Sequence, residues 1–400
     1  MIDIQKLLIS MVEQNASDLY LTVGAPPLLR IDGACRPVGE NLKPADTRAL
    51  CEHFMSEAQR AEFAAKQEMN LAHSISGLGR YRVNAFMQRG QAGLVIRLVK
   101  INIPSLESLL LPEALKDLVM LKRGLVLITG PTGTGKSTTL AAMIDHRNEH
   151  ETGHILTVED PIEFVHQHKK SIVTQREVGM DTENYGAALR NALRQAPDVV
   201  LIGEIRDAEA MDAALTFVET GHLVLGTLHT TNANQTIDRI VNFFPKETHN
   251  GLFPQLALNL AGICCQRLLP DASGTGRRAA LEILVTTPRI RDLIAKGEVG
   301  EIKTAMDEAV QEGCQTFDQA LYNLLREGAI TLEEALKNAE SANNLKLKLK
   351  LQGVDTDAPG ADRAELKLTL MKGVRAREPL RAPVAPPPLK LGGGQASGGR

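Results

Sequence analysis

The 400-residue sequence is poor in aromatic residues: it has no tryptophan, and Phe, Trp and Tyr together make up 3% of the chain. Proteins that bind single-stranded nucleic acid usually stack bases on aromatic side chains. The formal net charge of -3 also lacks the basic excess that a nucleic-acid-binding protein needs. The composition therefore disfavours a nucleic-acid partner.

The sequence has no apolar run of the roughly 18 residues that a membrane-spanning helix requires. Its first stretch, MIDIQKLLISMVEQ, contains Asp3 and Glu13 around a short amphipathic pattern, unlike a signal peptide. We expect a cytoplasmic protein that does not insert directly into a membrane.

Cysteine is scarce, with five residues in the chain and no C-x-x-C pair. An odd number in a long chain favours reduced thiols, and the spacing excludes the usual four-cysteine zinc site. Cys264 and Cys265 are adjacent within an apolar segment, so we expect them to be buried by packing.

Residues 1–100 combine an amphipathic helix with several strand-like stretches and a helical piece near 45–65. This mixture predicts a small α+β domain with an antiparallel sheet. The apolar positions of the helix are Ile4, Leu7, Leu8, Met11 and Val12, and the strand-like stretches are DLYLTV, LLRI, YRVNAFM and GLVIRLV. Residues 101–122 contain Pro104 and Pro112 and are typical of a linker that leads into a helix.

Residues 123–345 alternate between strand and helix patterns, which predicts an α/β domain with a parallel sheet. Helical patterns dominate from about 247 to 342 in this interpretation. The predicted strands are LVLIT, HILTVED, DVVLIGEI and HLVLGTLHT.

Residues 346–400 are predicted to be a low-complexity, largely disordered tail. The stretches KLKLKLQ (346–352) and ELKLTLM (365–371) alternate with period two, and the chain after 379 is rich in Pro and Gly. Solvated charge runs are favoured for these two stretches over paired strands, but the pattern leaves both open.

The segment 125–144 has an apolar strand pattern, a glycine-rich bend and a helix pattern, with G-x-x-x-x-G-K-S in the bend. Glycines let backbone N–H groups surround a polyphosphate, and the helix N-terminus adds positive potential. Lys136 would reach the outer phosphates, and the hydroxyl of Ser137 would bind Mg²⁺. The predicted nucleotide-binding residues are Gly130, Pro131, Thr132, Gly133, Thr134, Gly135, Lys136, Ser137 and Thr138.

Acidic residues follow two of the predicted strands. Glu204 comes just after the apolar stretch 199–202, where ligands collect at the carboxyl ends of parallel strands, so it is placed to bind the Mg²⁺ shell. Glu159, Asp160 and Glu163 follow HILTV, and one of them would orient the attacking water. The alternative is that each acid is a solvated loop charge or a helix cap.

His222 and His229 lie at opposite ends of a short apolar stretch, seven residues apart. They are too far apart to share a metal ion as a pair spaced by four residues would. Either histidine could sense the γ-phosphate at a strand end, or be an ordinary packed or surface side chain.

Four stretches, in this order and spacing, resemble the Walker A, Asp box, Walker B and His box motifs of the secretion-type traffic ATPases. They are GPTGTGKST, TVEDPIEF, GEIRDAEAMDAAL and ETGHLVLGTLHTT. Within that superfamily the chain resembles the twitching-motility retraction ATPases of the PilT/PilU type over about residues 1–350. The details HQHKKSIVTQREVG, DRIVNFFP and QTFDQALYNLL are nearer the accessory PilU branch.

The resemblance implies a PAS-like N-terminal domain, a RecA-like P-loop ATPase domain with a helical C-terminal part, and the cofactors ATP and Mg²⁺. It implies that Glu163 of the Asp box is the water-activating carboxylate and that Glu204 is the Walker B acid, with Lys136 and Ser137 binding phosphate and Mg²⁺.

The resemblance also implies a homo-hexameric ring. In such rings the N-terminal domain of one subunit places arginines beside the nucleotide of the next, and Arg82 and Arg97 match that role best, with Arg80 weaker. Without the resemblance, salt-bridged surface arginines would be preferred. His222 and His229 would couple nucleotide state to domain movement.

Two functions are implied by this family. The first is a motor that hydrolyses ATP to depolymerise a type IV pilus through an inner-membrane platform protein, peripheral to that membrane. The second is an accessory subunit that binds ATP and joins a paralogous retraction ATPase with little turnover of its own. The full set of candidate catalytic groups favours the motor.

Overall fold

The structure, a computed structural model, describes residues 3–31, 33–75, 78–99 and 102–351. The first part of the chain forms a six-stranded antiparallel sheet with strand order β3-β2-β1-β6-β5-β4 and three helices. Its elements are α1 (Ile4–Glu13), β1 (Asp18–Leu21), β2 (Leu28–Ile31), β3 (Ala34–Pro37), α2 (Pro44–Phe54), α3 (Glu57–Lys66), β4 (Glu68–Ile75), β5 (Gly79–Gln88) and β6 (Gln91–Val99). This is the α+β domain that the sequence predicts.

Helix α1 begins where the side chain of Asp3 accepts a hydrogen bond from the backbone N–H of Lys6. Four of its five predicted apolar positions are buried, while Val12 is 37% exposed. The buried Tyr81 hydroxyl donates to the Leu8 carbonyl at 3.0 Å and so ties α1 to β5.

The second part of the chain forms a seven-stranded sheet with order β13-β12-β7-β11-β10-β8-β9. Its first elements are α4 (Ala114–Val119), β7 (Gly124–Thr129), α5 (Lys136–His150), β8 (Gly153–Glu159), β9 (Ser171–Glu177), α6 (Tyr185–Ala192), β10 (Val199–Ile202), α7 (Ala208–Glu219) and β11 (Leu223–Leu228). Strands β7, β10 and β11 are buried at every residue, as their continuous apolar sequences predict.

The remaining elements are α8 (Ala233–Val241), α9 (His249–Asn259), β12 (Leu260–Pro270), β13 (Arg277–Val285), α10 (Pro288–Lys296), α11 (Ile302–Glu308), α12 (Phe317–Arg326), α13 (Leu332–Asn338) and α14 (Ala342–Leu351). All neighbouring strands of this sheet are parallel except β12 and β13. The predicted α/β fold class is therefore confirmed.

The prediction that helical patterns dominate from 247 to 342 is wrong at β12 and β13, which form an antiparallel hairpin beside β7. Both strands are mostly buried, so they lack the polar alternation of a half-exposed strand, and their Leu and Ala content also suits a helix. Cys264 and Cys265 are fully buried on β12, as expected, and burial raises the pKa of Cys264 to about 12.

The start of the predicted disordered tail is also wrong, because α14 includes residues 346–351. Leucines four residues apart share one helix face, and Leu345 and Leu349 are buried there. The alternating lysines and leucines thus form neither a strand nor a solvated charge run. Residues 352–400, including the second alternating stretch, lie outside the described residues.

Among the helices that the structure describes, none is both long enough and apolar enough to cross a bilayer.

Packing of α14 predicts unequal effects for two leucines of that helix. Leu349 is fully buried, so Leu349→Ala should lower the free energy of unfolding by about 2–5 kcal/mol. Leu351 is 79% exposed, and Leu351→Ala should change it by no more than about 0.5 kcal/mol. Urea unfolding followed by circular dichroism measures both, and equal effects would mean that α14 does not dock.

Candidate active site

The glycine-rich loop joins the carboxyl end of β7 to the first turn of α5, as the sequence predicts. Gly130, Gly133 and Gly135 have φ angles of 147°, 81° and 90°, which favour glycine. The first N–H groups of α5 have no intrahelical partner, as in any α-helix, and Gly135 before them provides no side-chain cap. Backbone donors and the positive end of the helix thus face the same space, as phosphate binding requires.

Close packing beneath the loop also requires glycine. A Cβ atom at Gly130 would lie 2.5 Å from the carbonyl oxygen of Gln266, and one at Gly135 would lie 2.9 Å from Nε2 of Gln266. Two of the motif glycines are therefore needed for both their backbone angles and the space that they leave to β12.

Lys136, the first residue of α5, is half-buried at the loop. Its Nζ donates to the carbonyl oxygens of Gly130 at 2.8 Å and Pro131 at 3.0 Å. Burial lowers the pKa of Lys136, and the charge of Glu204 opposes that shift. Lys136 lines a cleft beside the loop, and its role in binding the outer phosphates stays a prediction.

A cleft of about 970 Å³ lies over the carboxyl ends of the parallel strands. Residues of both domains line it, which places the loop opposite the N-terminal sheet. From the second domain these residues include Thr132, Gly133, Gly135, Lys136, Ser137, Thr138, Glu159, Asp160, Glu163, Tyr185, Glu204 and His229; from the first they include Asn15, Ser17, Gly33, Arg97 and Leu98.

The two glutamates of the Asp box have different surroundings. Glu159 accepts hydrogen bonds from Thr157 Oγ1 at 2.7 Å and Gln175 Nε2 at 3.2 Å. Burial raises the pKa of Glu159, although these hydrogen bonds oppose the shift. Glu163 is exposed in the cleft. Glu163 is thus the more available of the two for a water molecule.

Glu204 follows β10 and is half-buried in the cleft. Its carboxylate contacts Arg206 Nη2 at 2.7 Å and His229 Nε2 at 3.2 Å. Burial acts to raise the pKa of Glu204, but the hydrogen bond and charge of Arg206, with His229 and Lys136, outweigh it, so the pKa is lowered. Glu204 is therefore held as a carboxylate.

The donor set fits Mg²⁺, which prefers oxygen ligands and usually takes one or two carboxylates together with substrate phosphates. Ser137 and Glu204 line the same cleft as the glycine-rich loop and provide a hydroxyl and an anionic carboxylate. The predicted pair of metal-binding residues thus remains a prediction with suitable chemistry.

The two histidines lie at opposite ends of β11, as the sequence predicts. His229, at the carboxyl end of β11, contacts Glu204. His222 lies at the amino end of β11, where its Nδ1 is 2.9 Å from the Phe217 carbonyl and its ring packs edge-on against Phe217. His222 is a packed side chain at the opposite edge of the sheet and does not line the cleft, so its role in coupling nucleotide state to domain movement stays a prediction.

Arg97 borders the cleft of its own chain. Its Nε donates to the buried Asp18 at 2.9 Å. This hydrogen bond raises the pKa of Arg97, and the charge of Glu163 adds to the shift. The guanidinium thus borders the same cleft as Glu163 within one chain, and its placement beside the nucleotide of a neighbouring subunit stays a prediction.

Arg82 is paired with Arg97 across strands β5 and β6, yet it does not line the cleft. Its Nε lies 3.4 Å from Oε1 of Glu177, and Arg80 Nη2 lies 3.7 Å from Oε2 of the same carboxylate. Glu177, at the end of β9, is 2% exposed. Arg82 thus links the two domains of its own chain, and its role beside the nucleotide of a neighbouring subunit stays a prediction.

Sequence reasoning missed several residues of the cleft wall, among them Tyr185, Leu268 and Arg277. The Tyr185 hydroxyl is buried without a hydrogen-bond partner among the described residues, and burial raises its pKa. Leu268 and Arg277 lie on the hairpin β12–β13, which the sequence patterns assign to helix. No motif singled out Leu268 and Arg277, because they reach the cleft through strand pairing. Tyr185 reaches it as the first residue of α6.

The family model of the type II/IV secretion system proteins matches residues 1–337. The type IV pilus ATPase PilU of Pseudomonas aeruginosa is 53% identical over 357 residues, covering 89% of this chain and 93% of that protein. The type IV pilus retraction ATPase PilT of the same organism is 45% identical over 345 residues, covering 86% and 99%.

Among solved structures, the pilus retraction motor PilT with bound ADP superimposes with a TM-score of 0.80 at 43% identity. The match covers 87% of this chain and all of that one. The similarity therefore includes both domains and the cleft between them. The chain belongs to the type II/IV secretion system protein family, as a P-loop ATPase of the PilT/PilU type.

Proposed function

We propose that this chain is the subunit of a homo-hexameric motor that hydrolyses ATP to drive type IV pilus retraction. The observation that carries the proposal is the convergence of Lys136, Glu163, Glu204 and Arg97 on one cleft. Phosphoryl transfer depends mainly on positioning and on stabilising charge, and these four groups provide both. The relatives are named as type IV pilus ATPases, which supports a role in the type IV pilus system.

Each group has a separate task in this proposal. Bound ATP with Mg²⁺ would supply the phosphoryl group and its activation. The N–H groups of the loop and the ammonium of Lys136 would hold the phosphates, while Ser137 and Glu204 would hold the metal ion. His229 would report the occupied state through its contact with Glu204.

Glu163 would orient the attacking water, since its carboxylate is exposed in the cleft. Glu159 is a poorer candidate because Thr157 and Gln175 already use its carboxylate and its pKa is raised. Arg97 would neutralise charge on the phosphates from within the same chain, held in place by Asp18.

We also propose that the subunits form a ring at the cytoplasmic face of the inner membrane. This ring would act on the pilus through an inner-membrane platform protein. An accessory subunit is the second candidate, because the identity to PilU, 53%, exceeds the identity to PilT, 45%. Such a subunit would join a paralogous retraction ATPase.

Lys136→Ala should lower the ATP hydrolysis rate by about 10²-fold or more, since it removes a cation that stabilises the transition state. Phosphate release by the purified protein measures the rate. Lys246→Ala removes an exposed lysine and serves as the control. Near-normal hydrolysis by Lys136→Ala would contradict the proposed nucleotide site.

The same assay separates the two candidate functions. An autonomous motor should hydrolyse ATP when it is assayed alone. A mixture with a PilT-type motor should then hydrolyse ATP no faster than the sum of the two separate rates. Negligible hydrolysis alone, with a rise above that sum in the mixture, would favour the accessory subunit instead.

The two Asp box glutamates should respond differently to the same substitution. Glu163→Gln should still bind ATP but lose about 10²- to 10⁴-fold in turnover, because an amide cannot accept the proton of the water. Glu159→Gln should retain most of its turnover, since burial already favours a neutral group there. Rate and ATP affinity are measured for both variants, and the reverse ranking would move the role to Glu159.

Arg97→Ala should bind ATP and lose about 10³-fold in hydrolysis, the scale of an arginine that stabilises transferring phosphate. Arg36→Ala, on the exposed strand β3, is the control for loss of a surface charge.

A mixture of Arg97→Ala with Lys136→Ala subunits tests whether the arginine acts within one chain. Neither subunit then has a complete site, so activity after subunit exchange should stay at the level of the parents. Partial recovery would mean that Arg97 acts across a subunit boundary, and the within-chain assignment would be withdrawn.

A further inference from the structure

Strand β12 continues beyond the sheet on the side where the glycine-rich loop lies. Its pairing with β7 ends at Cys265 and Thr129, the last residue before the loop. Residues 266–270 remain paired with β13 on their other side. The extension of the hairpin therefore runs beneath the loop and forms its floor.

Gln266, the first residue of this extension, is 3% exposed and joins the glycine-rich loop to the first turns of α5, which together form the phosphate cradle. Its Nε2 donates to the carbonyl oxygen of Thr134, within the loop, at 2.8 Å. Its Oε1 accepts from Oγ1 of Thr139, in the first turns of α5, at 2.8 Å. One buried side chain thus satisfies a loop carbonyl and a helix hydroxyl together.

The bond to Thr134 has a directional consequence. A trans peptide group is planar, with its C=O and N–H pointing to opposite sides. The carbonyl of Thr134 and the N–H of Gly135 belong to one such group. When Gln266 holds that carbonyl against the floor, the N–H of Gly135 points away from the floor, toward the concave side of the loop.

We propose that Gln266 is a positioning residue for nucleotide binding: it fixes the Thr134–Gly135 peptide so that the loop presents its donor to phosphate. This inference rests on the proposed function of the site and adds a residue that the P-loop motif does not contain. The hairpin β12–β13 thereby becomes part of the nucleotide-binding machinery, and a conformational change in it would alter the cradle directly.

A purely structural role is the alternative, and the hairpin offers a matched control. Gln315 Nε2 donates to the carbonyl oxygen of Leu281, on β13, also at 2.8 Å. Gln315→Leu removes a bond of the same type and length to the same hairpin without touching the loop. Gln266→Leu and Gln266→Glu both remove the donor to Thr134, and the glutamate retains the size of the side chain.

Two measurements test the inference. In nucleotide-free protein, amide hydrogen exchange of the peptide covering 130–136 should be faster in both Gln266 variants and unchanged in Gln315→Leu. ADP affinity should fall about tenfold in the Gln266 variants, the scale of a buried carbonyl left without its partner. The Michaelis constant for ATP should rise in parallel while kcat changes less than about twofold, because the loop binds the phosphates equally in the ground state and in the transition state.

Thr139→Val extends the test with a smaller disturbance of the fold, in case the Gln266 variants do not fold. It should weaken ADP binding less than Gln266→Leu, and the double variant should be no weaker than Gln266→Leu alone, because both act through one side chain.

The inference would be overturned if folded Gln266 variants kept the wild-type ADP affinity and the wild-type hydrogen exchange of the loop, even if their melting temperature fell. If those variants do not fold, the same result in Thr139→Val would overturn it. A wild-type chain that binds no ADP would instead refute the proposed function on which the inference rests.

Discussion

The whole site depends on the parallel alignment of four buried strands. Within the sheet, Leu228 of β11 is level with Thr129 of β7, and Ile202 of β10 is level with Val158 of β8. Because side chains that follow parallel strands emerge at the same edge, the loop, the Asp box, Glu204 and His229 meet although they are far apart in sequence. Burial of these strands on both faces keeps that edge rigid, and rigidity is what a site based on positioning needs.

This part of the molecule was predictable because the required information is local. Each central strand is a short apolar run, and a chemically distinctive residue or loop follows it, so strand direction alone places the glycine-rich loop with Lys136, Glu204 and the Asp box together. The same reasoning keeps His222 away from this edge: it precedes its strand, and the amino end of a parallel strand lies at the other edge of the sheet.

The remainder depends on contacts that no local pattern reveals. Strands β12 and β13 are mostly buried, so neither a helix period nor a strand period identifies them, and only the pairing of β12 with β7 and β13 makes them strands. The role of Gln266 follows from that pairing. Likewise Arg82 and Arg97 look equivalent in sequence, but they have different partners. Arg82 pairs with Glu177 at the domain boundary, whereas Arg97 pairs with Asp18 and borders the cleft.

The carboxylate of Glu177 is enclosed in one domain while its partners Arg80 and Arg82 belong to the other. Separating the domains would remove its counter-charges, so their relative orientation should be sensitive to ionic strength, less steeply than for exposed charges. Arg82 and Arg97 sit side by side on one stiff sheet. A movement of this sheet relative to the second domain would therefore shift Arg97 at the cleft together with the Arg82–Glu177 ion pair outside it.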